Sequence, residues 1–352
     1  MNVIEEPNSL LRVESLKGHH IPMLRSLKPN KGLGYLQLML LRNWLASLEK
    51  NLSRFLPSRN SFCYLALEDK KPVALILLKP YNLQGTCWTI PLVEVLSTQI
   101  IYSEKKILQC LIKTALEYGN VKTHSWLIES SITDNNRLAI AREFGFQPLK
   151  IFNCWSPTDN SKYEVKEDKL LGLSSCDEWQ EVNNINANSL LRLQQLWESS
   201  HLRQITDRNY KDILEKKHNC TKVLVSKVNS SNAHAGLIVR EFSENDIYIE
   251  LIRDASWNEK ISINIQFALS KLVETNKGIS IYIQTSKEDE KLTELLKTFG
   301  WKLTHEKLLL GRSLWRRQES KKLSIRTNNL ESMLGSLSPQ TPPLPTPTLV
   351  PR

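Results

Sequence analysis

The chain has 352 residues, 47 lysines and arginines against 37 aspartates and glutamates, a formal net charge of +10 and a hydrophobic share of 41%. That length exceeds one ordinary core and suits two domains of about 150 residues each, and the excess of positive charge favours anionic partners such as nucleic acid, acidic lipid or a phosphorylated cofactor. The six cysteines form no C-x-x-C pair, which argues against a zinc ribbon or a redox motif and fits reduced thiols in a cytoplasmic protein; the acidic first residues carry no secretory apolar core, and the most apolar run, Val73 to Leu78, falls far short of the roughly 20 residues of a membrane helix.

In chain order, Leu33, Leu36, Leu40, Leu41, Trp44, Leu45 and Leu48 recur at helical spacing over residues 31–56. Three strand-like runs follow: Phe62 to Leu67, Val73 to Leu78, and Thr86 to Leu96 after the turn signal Pro80-Tyr81-Asn82. Glu104 to Tyr118 reads as a helix closed by Gly119-Asn120, Val121 to Ile128 as a strand, Asn135 to Phe144 as a short helix stopped by Gly145, and Phe146 to Trp155 as a strand. Residues 157–168 are polar and read as a linker.

The pattern then recurs. Leu190 to Trp197 and Tyr210 to Lys217 are helical, and Lys222 to Val228, Ala235 to Phe242 and Ile247 to Ile252 are strands. After them come a helix (Ile261 to Glu274), a strand (Ile279 to Gln284), a helix (Glu288 to Phe299) and a strand (Trp301 to Leu310). Gly145 in Glu-Phe-Gly-Phe and Gly300 in Thr-Phe-Gly-Trp lie 300 − 145 = 155 residues apart, and that offset also carries Ile128 to Ile283, Ser131 to Ser286 and Asp134 to Asp289. A duplication of this kind sets the architecture. The proline-rich end predicts an extended, disordered tail over 318–352, with Pro342 and Pro345 forming a P-x-x-P.

The order of elements, and above all Asp134-Asn-Asn-Arg-Leu-Ala-Ile-Ala-Arg-Glu-Phe-Gly-Phe146, resembles the GNAT superfamily of acyl-CoA-dependent N-acyltransferases, whose corresponding helix starts at an Asn and ends in an aromatic-flanked Gly-Phe. The glycine has a physical reason, because a helix C′ position wants φ > 0. The resemblance implies an α+β fold of two tandem GNAT-like domains, residues 1–156 and 169–317, with acetyl-CoA or another acyl-CoA as cosubstrate and a primary amine as acceptor.

The resemblance also points to site residues. The family's pyrophosphate loop is glycine-rich, but the matching stretches, 99–107 and 254–262, hold no glycine. Ser103, Lys105 and Lys106 in one copy, and Asn258 and Lys260 in the other, stand where phosphates would be met, or else lie on a solvated first helical turn. Backbone groups at Val95 and Ile252 would support the pantetheine arm. Glu94 and Glu250 sit inside apolar strands at matching places; each is either the base that deprotonates the amine, its pKa raised by partial burial, or an ordinary solvent-facing residue of an alternating strand. The tyrosine that many members carry four residues before the helix-ending glycine is replaced by Ala141 and Leu296.

Three functions stay open at this level: an N-acyltransferase, a catalytically inactive tandem-GNAT scaffold, and a basic nucleic-acid-associated protein using Arg312, Arg316, Arg317, Lys321, Lys322 and Arg326. The seven histidines show no metal spacing.

Overall fold

The computed structural model describes residues 3–6, 9–27, 61–96, 101–118, 123–158, 178–215, 218–226, 231–242, 245–256 and 259–313. The chain divides into two compact units, 1–314 and 315–352, and every described residue belongs to the first. The first half runs β1 (Val3–Glu6), β2 (Ser9–Ser15), α1 (Ile21–Leu27), β3 (Phe62–Glu68), β4 (Lys71–Pro80), β5 (Cys87–Val95), α2 (Glu104–Tyr118), β6 (Ser125–Ser131), α3 (Asn135–Glu143) and β7 (Gln147–Pro157). The second runs β8 (Glu178–Glu181), α4 (Asn184–Leu196), α5 (Ser200–Thr206), α6 (Tyr210–Glu215), β9 (Lys222–Val225), β10 (Ala233–Phe242), β11 (Asp246–Arg253), α7 (Glu259–Thr275), β12 (Ser280–Ser286), α8 (Glu290–Thr298) and β13 (Trp301–Ser313).

The strands expected from periodicity are present, with ends shifted by a few residues. The sequence reading missed β1, β2, α1, β8 and α5, all short. The helix expected over 31–56, most of the linker and the basic, proline-rich tail lie outside the described residues.

All thirteen strands form one sheet in the order β1-β2-β3-β4-β5-β6-β13-β7-β12-β11-β10-β9-β8. Two neighbouring pairs, β5 with β6 and β11 with β12, are parallel; the other pairs are antiparallel. The final strands of the halves are exchanged. β13 pairs with β6 of the first half, and β7 pairs with β12 of the second. Each therefore closes the other half's core: Leu308 and Leu310 of β13 join Trp126, Ile128, Leu111 and Phe146, while Trp155 of β7 joins Ile249, Ile265, Ile283 and Trp301.

The repeated helix chemistry explains why α3 and α8 stand where they do. Asp134 caps α3 by accepting from the Arg137 amide at 3.0 Å, and Asp289 caps α8 from the Leu292 amide at 3.1 Å. Each helix then stops at a left-handed glycine, Gly145 at φ +79° and Gly300 at φ +76°. Gly145 donates to the Arg142 carbonyl at 2.9 Å and Phe146 to that of Ala141 at 3.0 Å, a Schellman ending that turns the chain straight into β7.

Candidate functional site

The pairing registers fix where the halves correspond. Phe152 of β7 pairs with Lys307 of β13, and 307 − 152 = 155, the interval that separates Gly145 from Gly300. The approximate twofold relation between the halves thus passes through this pair. The flanking ladders obey the same interval: Leu309 pairs with Glu129 on one side, and Cys154 with Gln284 on the other.

Each parallel pair lets go part-way along. β5 stays paired with β6 only as far as Ile90 with Ile128, although both strands continue. The next residue is Pro91, which has no N–H to carry the ladder on. β11 stays paired with β12 as far as Glu250 with Gln284 and then diverges likewise. Two strands that part in this way leave backbone groups free to meet an extended ligand.

Side chains that share a row across paired strands share a face. By register, Tyr248 and Glu250 of β11, Tyr282 and Gln284 of β12, Lys150 and Phe152 of β7, Lys307 of β13 and Glu129 of β6 all project from one face at the centre of the sheet. Tyr248 and Tyr282 stack with ring centres 4.9 Å apart, and the Lys307 ammonium lies 5.1 Å from the Tyr248 ring. Glu250 is buried; Gln194 of α4 donates to it at 2.6 Å and Arg240 of β10 forms an ion pair with it. Arg240 reaches inward because β10 bulges between Val239 and Glu241. Arg208, between α5 and α6, donates to Gln194 at 3.2 Å and pairs with Glu198, both partners being 5% exposed. Its guanidinium also lies 5.7 Å from the Tyr81 ring.

Titration in this cluster differs from group to group. Burial pushes the Glu250 carboxyl up, but Arg240, Lys150 and Arg208, together with the Gln194 hydrogen bond, outweigh it and hold Glu250 below the ordinary carboxylate range. Glu129 keeps contact with solvent yet is ringed by protein, and that desolvation raises its carboxyl against the pull of Lys307 and Arg240. Burial lowers the Lys150 ammonium, with Glu250 and Glu198 opposing. Burial raises the Cys154 thiol to about 11 on the same face, so it is a neutral group near pH 7.

No protein-family model matches the chain, and no curated protein sequence matches it. Solved structures do. A tandem GNAT protein from the clavulanic acid biosynthesis pathway, solved without acetyl-CoA, aligns over 86% of this chain and 98% of its own at 9% identity and a TM-score of 0.50. The chain has a tandem GNAT fold. A GCN5-related glucosamine N-acetyltransferase region of a fungal multi-domain GH3 β-N-acetylglucosaminidase aligns over 86% of this chain at 13% identity and a TM-score of 0.51, and this chain spans 38% of that longer protein.

In this GNAT frame the expected phosphate end of the first half is occupied from within. The loop entering α2 presents its amides inward, and Glu68 at the end of β3 takes them: Ile101 donates to its carboxylate at 3.1 Å and 3.2 Å, and Tyr102 at 3.1 Å. Ser103 is exposed, and its Oγ accepts from the Lys106 amide at 3.4 Å. Lys105 pairs with Glu143 at 2.5 Å, tying the start of α2 to the end of α3. Lys106 lies 4.8 Å from the Tyr102 ring. Val95 is half-buried against the first-half core.

The second half is closed differently. At the end of β11 the Arg253 guanidinium donates from Nη2 to Asp289 at 2.6 Å and from Nε at 3.2 Å, reaching the cap of the helix that follows β12. Both side chains are at most 3% exposed, so a buried ion pair spans the gap between the parted strands. Asp134, the first-half counterpart of Asp289, is bound instead by Arg137 of its own helix at 3.1 Å. Ile252 is buried against Ile238 and Leu190. Lys260 is half-buried and its carbonyl accepts from Asn264 at 2.9 Å, while Asn258 lies outside the described residues.

Glu94 and Glu250 are not in equivalent places. Ile128 and Ile283 are counterparts at the 155-residue interval, and their partners are Ile90 and Ile249; by this register Glu250 corresponds to Pro91. Glu94 lies four residues past the last β5–β6 pair, is half-buried and pairs with Leu75. Glu250 is neither solvent-facing nor raised toward neutrality; Arg240, Lys150 and Arg208, with the Gln194 amide, are the reason. Glu129 at the first-half gap, and Lys150 and Arg240 elsewhere on the same central face, were missed in the sequence. Each is one polar residue in a strand, and their only signal was the break in an apolar run such as Trp126-Leu-Ile-Glu129.

Among the described residues no group of His, Cys, Asp and Glu could hold a metal ion, and no helix is long and apolar enough to cross a membrane.

Proposed function

We propose that the protein is an acyl-CoA-dependent N-acyltransferase in which the first half takes the donor and the second half builds the acceptor cleft. The observation that carries this reading is the pair of parted strands β5 and β6 with Glu129 at their mouth. The first-half gap fits a pantetheine arm, whereas the buried Arg253–Asp289 pair in the second half does not leave the equivalent opening. At the phosphate end, Lys106 and the first turn of α2 would meet the anion, with Glu68 as an internal competitor for the same amides. The thioester donor supplies the acyl group: its carbonyl carbon forms an amide bond with the acceptor nitrogen as the thiolate leaves and is protonated.

In this reading Glu129 takes the proton from the incoming ammonium. Its raised pKa and its contact with solvent suit a base that must lose and regain a proton each turnover. Lys307, diagonal to it on the neighbouring strand, keeps the carboxyl from rising further. Glu250, held ionised by Arg240, shapes the field of the cleft and moves no proton.

The test is transfer from acetyl-CoA and longer acyl-CoAs to a panel of amines, with Glu129→Gln, Glu94→Gln and Glu250→Gln compared. Loss of a general base costs about 10²–10⁴-fold in rate, and that loss is expected for Glu129→Gln, with Glu94→Gln near the parent. Full activity in Glu129→Gln with loss in Glu94→Gln moves the base to β5. A second reading, a tandem-GNAT binding protein without catalysis, is favoured by the Glu68 contacts and the Arg253–Asp289 bridge; no turnover, together with no change in thermal midpoint on adding any acyl-CoA, would establish it.

A further inference from the structure

In the buried centre of the cleft one cation has no carboxylate paired with it. The cations on this face are Lys150, Arg208, Arg240 and Lys307; its carboxylates are Glu129, Glu198 and Glu250, with exposed Glu241 and half-buried Asp246 on the same face towards its rim. Arg208 pairs with Glu198, Arg240 pairs with Glu250, and Lys307 neighbours Glu129 across adjacent strands. Lys150 is left over. It is 7% exposed, and among the described residues its ammonium forms no hydrogen bond or ion pair; its close neighbour is the Phe152 ring, at 5.0 Å. An enclosed ammonium without a counter-ion either gives up its proton or is completed by an anion, and an anionic ligand favours the second. Two further donors are in the same condition: Arg208 Nε and Gln284 Nε2 are buried without an acceptor, and Gln284 shares its row with Glu250.

We propose that Lys150 anchors a carboxylate, so that the acceptor is an amine carrying a carboxyl group, a ligand of the amino-acid class. A single buried ammonium without an ion pair matches one carboxylate, whereas a phosphate dianion would need a second free cation beside it. Glu129 and Lys150 flank Leu309 in one row of three strands, so their backbones stand about 10 Å apart. A small zwitterion lying on that row presents its ammonium to Glu129 and its carboxylate to Lys150. The Tyr248–Tyr282 stack on the same face offers a wall for the ligand's side chain. The amine's orientation rests on the acyl-transfer reading; the carboxylate site does not.

The experiment is therefore run without acyl donor. The thermal midpoint of the full chain is measured with each protein amino acid at millimolar concentration, with the corresponding carboxamides, and with inorganic phosphate, in the parent protein and in Lys150→Met. One or more amino acids should raise the midpoint by about 2–4 °C, their amides should not, and Lys150→Met should lose the difference. Equal shifts from acid and amide, a shift from phosphate alone, or no shift across the panel each overturn the proposal. Should Lys150→Met fail to fold, the acid–amide comparison in the parent decides alone. Binding of an amino acid without any later acyl transfer would leave this site standing and remove the enzymatic reading.

Discussion

The Glu68 carboxylate accepts a hydrogen bond from the Tyr102 amide at 3.1 Å, and from the Ile101 amide as well, at the entrance to α2. A protein carboxylate thus sits on the amides that a phosphate would use. Glu68→Gln removes the charge and keeps the shape. It should destabilise the fold by about 1–3 kcal/mol, the range for a charged acceptor of buried amides, while tightening CoA binding because the amides lose their internal anion. Urea unfolding and calorimetric titration with CoA read the two effects separately. Unchanged CoA affinity would mean that these amides are not the phosphate site.

Arg253 and Asp289 make the matching test in the second half. Removing one partner of a buried pair costs about 3–5 kcal/mol, because the other charge is stranded. Arg253→Met should fall in that range by urea unfolding, and adding Asp289→Leu should recover part of the loss, less the helix cap that Asp289 also provides. Neither change should lower acyl transfer if the donor lies in the first half. Improved donor binding on opening this bridge would point to the second half instead.

The legible part of the fold was local chemistry. Asp134 and Gly145, and again Asp289 and Gly300, declare a helix start and stop through side-chain capping and a left-handed turn, so α3 and α8 could be placed from sequence. The strand exchange could not. Ile151 in β7 and Leu308 in β13 read as ordinary strand residues, and alternation records which face is buried but not which strand lies alongside. The misplaced equivalence of Glu94 and Glu250 has a related origin: the paired Ile90 and Ile128 are 128 − 90 = 38 residues apart, but their counterparts Ile249 and Ile283 are 283 − 249 = 34, and nothing in the apolar pattern marks where the longer crossover takes its extra residues. Lys150 was illegible because burial of a single lysine depends on α4 to α6 and on residues far along the chain.

Two carboxylates in the cleft are shifted in opposite directions, which gives opposite pH signatures. Glu250 has a folded pKa below its unfolded value, so the stability it contributes is present above the ordinary carboxylate pKa of about 4.3 and is lost as pH falls through its depressed folded value. Glu250→Gln should lower stability near neutrality and shrink the loss on acidification. Glu129 has a raised pKa, so the folded state binds its proton more tightly and Glu129→Gln should raise stability near neutrality. Unfolding free energies across an acid-to-neutral series check both signs. The rate of acyl transfer should climb with pH through a value above the ordinary carboxylate range, and that climb should vanish in Glu129→Gln.

Gly145 offers a prediction that separates strain from packing. A Cβ built on Gly145 meets nothing within 4 Å, so the only penalty for a side chain is the backbone conformation at φ +79°. Gly145→Ala should cost about 1 kcal/mol, the usual price of a left-handed non-glycine residue, and Gly145→Asn should cost less because asparagine tolerates that region. Gly236 is the contrast: its φ is not positive, but a Cβ there would lie 2.2 Å from Leu190 Cδ1, within the contact that seats α4 on β10. Gly236→Ala forces a fully buried leucine to move and should disturb Gln194, one helical turn (194 − 190 = 4 residues) further along, and with it the hydrogen bond to Glu250. Gly145→Ala should therefore leave amino-acid binding intact at reduced stability, whereas Gly236→Ala should weaken binding as well, a split read from the thermal midpoint with and without ligand.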